Sequence, residues 1–233
     1  MFTLPIGFFN KSSNDPYFSS VVLLLPFTGT NGSSTFTEVK GNAVTVDGTP
    51  TISNAQTLFG NNTGSFNGVN QALNFSTNVT SLDLSGDFTI EAWVYIISFP
   101  HAFQQFITMR DPSGNPQYSL YLNGSNQYSV EWNNNSSTDY VVSGPTATTG
   151  AWVFVAGVKA SNVLSLYVNG NSVGTPVTTS GTANLYSNRQ LWIGGNRANN
   201  NQNFYGYYGG IRVSTYARYT SNFTPPTSPF PTS

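Results

Sequence analysis

Apolar and polar residues alternate at every second position along most of this chain, broken at short intervals by Gly, Asn, Pro and Ser. That period admits β-strands and leaves almost no room for amphipathic helices, so it constrains the fold more than any other feature. Phe88 to Ile97 is the clearest case, with Phe88, Ile90, Ala92, Val94 and Ile96 on one face and Thr89, Glu91, Trp93 and Tyr95 on the other. Tyr118, Leu120 and Leu122 likewise oppose Ser119 and Tyr121, and Tyr128, Val130 and Trp132 oppose Ser129 and Glu131. Val21 to Leu25 is a continuous apolar run, short enough for a strand buried on both faces. Trp152 to Val158 and Val163 to Val168 read as a hairpin turning through Ala160, Ser161 and Asn162, with Leu164, Leu166 and Val168 toward the core. Asn169-Gly170 supplies the two positive φ angles of a second tight turn before Ser172 to Val177. Leu191 to Ile193 and Phe204 to Ser214 complete the pattern of an all-β sandwich. One helical turn is expected, over Thr215 to Tyr219. Beyond it, Pro225, Pro226, Pro229 and Pro231 keep the end of the chain out of any sheet ladder and in an extended conformation.

Charge excludes whole classes of function. The 233 residues carry eight Lys and Arg against nine Asp and Glu, one His and no Cys. A domain of this length buries a sufficient core without disulfides. With three lysines in all, the chain has no basic stripe for phosphates, so no nucleic-acid partner is expected. No stretch approaches the roughly 20 apolar residues of a membrane helix, and the apolar start lacks the basic segment and small-residue cleavage site of a secretory signal. Solubility rests on 28 Asn, 28 Ser and 27 Thr, while 17 Phe, 13 Tyr and 4 Trp exclude a disordered polar chain. The nine Asn-x-Ser/Thr sequons are a number that this abundance of Asn, Ser and Thr accounts for. All nine acids precede Tyr140, whereas Lys159, Arg189, Arg197, Arg212 and Arg218 follow it with no acid among them. Either this split marks a docking face, or strands of the two halves interleave and the asymmetry averages out in space.

The segments DPYFSSVVLLLPFTGTNGSSTFTEVKGN, LDLSGDFTIEAWVY, GAWVFVAGVKASNVLSLYVNGNSVG, LWIGGN and FYGYYGGIRVSTYARYTSNFTPPTSPFP, in that order, resemble laminin G-like members of the concanavalin A-like lectin/glucanase superfamily. The likeness is narrower still to the versions carried by virion proteins of tailed bacteriophages, and it covers about residues 15 to 231. The resemblance implies a jelly-roll sandwich of two antiparallel sheets, often a sugar-binding or self-associating module, sometimes with a structural calcium. It divides the chain into an apolar arm (1–18), the jelly-roll domain (19–222) and a Pro-rich tail (223–233). Relatives place acids where this chain has Thr28, Gly209 and Gly210, and only Glu38 stays near a third such position. Calcium prefers six to eight oxygens with several carboxylates, so no metal or other cofactor is expected.

Glucanases of the superfamily use closely spaced acids, since retaining hydrolysis needs two carboxyls roughly 5 Å apart. Here Glu38, Glu91 and Glu131 each stand alone in a strand, and Glu91 reads as an exposed strand residue. His101 reads as a solvated loop residue and not as part of a nucleophilic triad. No enzyme is expected. Binding of sugar is the stronger chemistry, because aromatic faces hold the C–H patches of a sugar while amides and hydroxyls hold its rim. Trp93, Tyr95, Tyr121, Glu131 and Tyr167 lie opposite the expected core, and together with Trp132 they are the candidate glycan contacts. The Asn-rich segment Arg197 to Tyr208 is either a recognition loop or simply solvated. Phe2, Leu4, Ile6, Phe8 and Phe9 form an apolar arm, either a strand added to its own domain or a docking arm for a neighbouring subunit. The expected function is a non-enzymatic virion component, assembled in the host cytoplasm: a capsid decoration (cement) protein that docks on a capsid or tail protein and on its own copies. The alternative is a tail adhesin for host surface polysaccharide, and a glucanase-like hydrolase is the third reading.

Overall fold

The computed structural model describes residues 14–196 and 200–233. The arm residues Phe2, Leu4, Ile6, Phe8 and Phe9 lie outside the described residues, as does Arg197. The described strands are β1 (Val21–Leu25), β2 (Val44–Asp47), β3 (Thr51–Leu58), β4 (Asn61–Asn67), β5 (Ala72–Phe75), β6 (Phe88–Ile96), β7 (Gln104–Arg110), β8 (Pro116–Leu122), β9 (Gln127–Asn133), β10 (Asp139–Thr146), β11 (Trp152–Ala160), β12 (Val163–Val168), β13 (Asn171–Thr178), β14 (Gln190–Ile193) and β15 (Tyr205–Ser214). They form two antiparallel sheets. The first runs β13-β12-β11-β6-β15-β4-β3, with β1 also paired to β15, and the second runs β10-β9-β8-β7-β14-β5-β2. This is the jelly-roll sandwich that the period-two alternation and the resemblance lead one to expect.

The inner faces follow the alternation. Phe88, Ile90, Ala92, Val94 and Ile96 of β6 share one buried cluster with Tyr118, Leu120 and Leu122 of β8 and with Tyr128, Val130 and Trp132 of β9. Burying each such aliphatic or aromatic side chain contributes about 1.5–3 kcal/mol before entropy is charged against it. Both expected hairpin turns have the left-handed pairs they need: Ser161 and Asn162 at φ 47° and 66°, Asn169 and Gly170 at 49° and 78°. Gly170 has a second reason to be glycine, since a Cβ there would lie 1.9 Å from the carbonyl oxygen of Phe223. The Phe223 amide donates to the Gly170 carbonyl at 2.9 Å, which fixes the tail against this turn.

Thr215 to Tyr219 is not helical, contrary to expectation. Its backbone groups bond elsewhere: the Thr215 amide donates to Ser20 O, the Thr89 hydroxyl donates to Tyr216 O, and the Arg218 amide donates to Thr89 Oγ1. The segment that follows carries no strand and lies over the outer face of the first sheet. There Tyr219 and Phe223 stack at 3.6 Å, and Phe230 joins Phe154, Ala156, Val158 and Tyr167 in a second buried cluster with Val21 and Leu24.

Under this cover lie four charges. Glu91, expected to be exposed, is 0% exposed. Its carboxylate accepts from Arg212 Nε at 2.6 Å and from the Tyr219 hydroxyl at 2.7 Å. Arg212 also donates to Asp15 at 3.0 Å, and Arg218 donates to both oxygens of Asp15 at 3.0 and 2.8 Å. Phe230 lies over the Arg212 guanidinium, 4.3 Å from ring centre to Cζ. Two acids and two arginines cancel, and their hydrogen bonds offset the desolvation that makes an isolated buried charge so costly. The cluster also joins the two ends of the described fold, because the Asp15 amide donates to Ser233 O at 3.0 Å.

Burial alone would push the Asp15 carboxyl up, but the hydrogen bonds from Arg218 and the Tyr17 amide, with the charges of Arg218 and Arg212, hold it below its ordinary value of 3.8. A depressed folded pKa stabilises the fold above that value, and the stabilisation is lost as pH falls through the folded pKa. The melting temperature is therefore expected to drop as the pH is lowered below about 4, and Asp15→Asn should flatten that part of the curve in calorimetry. An unchanged curve would mean that Asp15 does not clamp the tail.

Candidate functional site

The second sheet has the opposite character: its outer face is polar. The strand registers align one row across it, Val141, Glu131, Ser119, Thr108, Trp192, Asn74 and Thr45. Ser119 and Thr108 are fully buried although they point away from the core. Arg110 lies over them. Its Nε donates to Thr108 Oγ1 at 2.8 Å, Nη1 to Gly114 O at 2.7 Å, and Nη2 to Glu131 Oε1 at 2.8 Å. Ser119 donates to the same Glu131 oxygen at 2.7 Å. Burial pushes the Glu131 carboxyl up from its ordinary range, the Arg110 charge and the Ser119 hydroxyl pull it down, and Asp139 pushes it up again, the net direction being upward.

Beside this network lies a cleft of about 290 Å³, lined by Phe103, Gln105, Arg110, Pro116, Tyr121, Glu131, Asp139 and Gln202. Phe103 and Tyr121 stack across it, with centroids 6.4 Å apart and planes 28° from parallel. Phe103 is 41% exposed and Tyr121 only 7%, so together they form a short aromatic wall with its base in the sheet. Gln105 is 1% exposed. Its amide nitrogen donates to Gln202 Oε1 at 3.0 Å, while its Oε1 has no partner among the described residues. A buried amide oxygen left unpaired is costly unless water or a ligand completes it.

Of the candidate glycan contacts, the structure brings Tyr121 and Glu131 together here and scatters the rest. Trp132 is in the core, 0% exposed, with its Nε1 donating to Leu84 O at 2.8 Å, so it contacts no external ligand. Tyr167 faces outward as expected but is buried beneath Tyr219 and Phe223, because the tail closes that face. Trp93 is half-buried edge-on between Phe59 and Phe154. Tyr95 lies with Trp152 and Tyr207 on the open part of the first sheet, beside a separate cavity of about 220 Å³. Sequence reasoning missed Phe103, Gln105, Arg110 and Asp139 as site residues. The Asn-rich segment does reach the cleft through Gln202, whereas Tyr205 to Tyr208 belong to β15.

The remaining candidates have local partners. His101 Nε2 bonds to Gly68 O at 2.8 Å. Glu38 accepts the amides of Leu24, Lys40 and Asn42 and the Asn42 side chain, which shapes the loop after β1. A Cβ at Gly209 would lie 2.3 Å from Leu58, and one at Gly210 would lie 3.1 Å from Phe230. Packing therefore occupies the positions where relatives carry acids, and the residues present do not fit a calcium site. Among the described residues no group of three or more His, Cys, Asp or Glu could hold a metal ion.

A sequence model of the concanavalin A-like lectin/glucanases superfamily, of laminin G type, matches residues 66–221. The chain belongs to this superfamily. No curated protein sequence matches it. Among solved structures, this superfamily member is similar to the binding domain of paraclostridial mosquitocidal protein 1, at 14% identity and a TM-score of 0.67, over 87% of this chain and 50% of that one. It is also similar to the binding domain of botulinum neurotoxin DC in complex with SialylT, at 12% identity and a TM-score of 0.61, over 86% and 49%. A third likeness is to Trypanosoma rangeli sialidase in complex with sialic acid, at 15% identity and a TM-score of 0.60, over 86% and 31%. The chain thus spans about half the length of the toxin binding domains it matches, and at these identities the likeness concerns the fold.

Arg110 is the charge that pulls the Glu131 carboxyl down against its burial. Arg110→Gln is expected to raise the Glu131 pKa further, read by carboxyl-resolved NMR titration, and to cost about 3 kcal/mol at neutral pH. Because the raised pKa favours the protonated folded form, that loss should shrink as the pH is lowered.

Proposed function

We propose that this domain is a non-enzymatic recognition module of a tailed-phage virion that binds a saccharide of the host surface in the Phe103–Tyr121 cleft. The observation that carries this reading is a stacked aromatic pair, with Phe103 exposed and Tyr121 buried at its base, standing over a polar sheet floor that contains an unpaired buried amide oxygen. Aromatic faces and fixed polar groups are the two elements a sugar site needs. Two of the similar structures are toxin binding domains, one of them in complex with SialylT, which is in keeping with recognition.

The capsid-decoration reading keeps support from one feature. Asp15 and Ser233 meet on the outer face of the first sheet, opposite the cleft. A segment docked through residues 1–13 would leave the cleft pointing away from its anchor, so attachment and recognition are compatible in one chain. Deleting Met1 to Asn10 should leave folding and saccharide binding intact and abolish incorporation into virions, and full occupancy by the truncated protein would end the docking idea.

A glycan array of bacterial surface polysaccharides is the direct test of recognition. Phe103→Ala and Tyr121→Ala are each expected to weaken a hit about tenfold, in line with about 1–1.5 kcal/mol for an aromatic contact. The Phe103 variant should melt close to the parent protein, since that residue is 41% exposed and lies outside the buried clusters. An array with no hits would overturn the proposal.

A further inference from the structure

Resting on that reading, we infer that the cleft selects saccharides bearing a free amine over acidic ones. Its charge is unbalanced. Three ionisable side chains other than Tyr121 line it: Arg110, Glu131 and Asp139. Arg110 is spent, with its guanidinium donating to Thr108, Gly114, Ser119 and Glu131. It has little left for a ligand carboxylate. Asp139 is exposed and has no cationic partner among the described residues, its one described side-chain bond coming from the neutral Asn133 amide. Among the described residues the cleft therefore carries one uncompensated negative charge.

The neutral groups point the same way. Gln105 Oε1, enclosed at the cleft and unpartnered, is an acceptor. Gln202 Oε1 already accepts from Gln105 and from Asn196. An ammonium group brings three donors together with the charge that Asp139 leaves unbalanced. A uronic or sialic acid would instead bring a carboxylate toward Asp139 and Glu131 with no free cation among the described residues to receive it.

Three oligomers of one chain length test this by calorimetry at low ionic strength: glucosamine, N-acetylglucosamine and galacturonic acid. The glucosamine oligomer is expected to bind at least about tenfold more tightly than its acetylated counterpart, with no measurable binding of the acidic one. That ratio should fall to about threefold or less in Asp139→Asn and in 0.5 M salt, where exposed charges are screened. It should return in Asp139→Glu, which a merely structural role for Asp139 would not produce. Equal or tighter binding of the acidic oligomer overturns this inference and leaves the saccharide reading standing, as does an amine preference that persists in Asp139→Asn. Failure of all three oligomers and of the glycan array overturns both. Binding of the amine oligomer that Tyr121→Ala leaves undiminished lies outside the cleft and overturns the inference as well.

Discussion

The fold depends on a neutral cluster of buried charge. Asp15, Glu91, Arg212 and Arg218 come from the start of the described chain, the central strand β6, the last strand and the segment just after it, and they meet on one sheet face beneath aromatic rings. Each arginine needs an acid that lies far from it in sequence, so the cluster forms only when both ends of the chain are in place. Removing one partner would leave a charge stranded in a site that water does not reach, which costs several kcal/mol. The same constraint settles the uneven distribution of acids and bases. Arg189 pairs with Asp83, Arg212 with Glu91 and Asp15, and Arg218 with Asp15, so late cations neutralise early acids within the sandwich.

Closing one face has a consequence for the other. Tyr219, Phe223 and Phe230 turn much of the outer face of the first sheet into a second core, which leaves Tyr167 only 4% exposed, on the wall of a cavity of about 340 Å³. The outer face of the second sheet receives no such cover among the described residues and keeps its polar row. A two-sheet sandwich thus divides its labour: one outer face holds the chain ends, and the other presents the cleft.

The inner faces were legible because alternation is the direct imprint of a pleated strand with one buried side, as Phe88 to Ile96 and Tyr118 to Leu122 demonstrate. The same rule that marked Tyr121 and Glu131 as outward residues also marked Tyr167 and Glu91, and it could not tell open faces from covered ones. The cover over the latter pair comes from residues more than 40 positions away in the chain, in a segment after the last strand that has no period of its own. The cleft was hidden for a different reason. In β7 the register shifts between Gln105 and Ile107, so Phe106 turns inward out of phase and the alternation that would have marked Gln105, Thr108 and Arg110 as one face is broken. Phe103 precedes that strand and carries no periodic signal at all. The negative charge of Asp139 was visible only as one acid among nine.

Scarcity of charge gives that one acid its weight. Every described arginine is paired with an acid. The two described lysines bond to carbonyl oxygens and lie over rings, Lys40 over Phe18 and Lys159 over Trp132. Acids without an arginine are held by neutral donors, Glu38 by backbone amides, Asp47 by Asn74 and Asp111 by Asn115. On a surface dense in Lys and Glu, an unpaired carboxylate would be lost among neighbouring charges of both signs. Here the surroundings are amides, hydroxyls and rings, and the field of Asp139 extends over roughly a Debye length, about 8 Å at physiological salt, across the mouth of the cleft. A carboxylate that no described cation offsets, standing beside an aromatic wall, can therefore set the sign of what binds in the cleft.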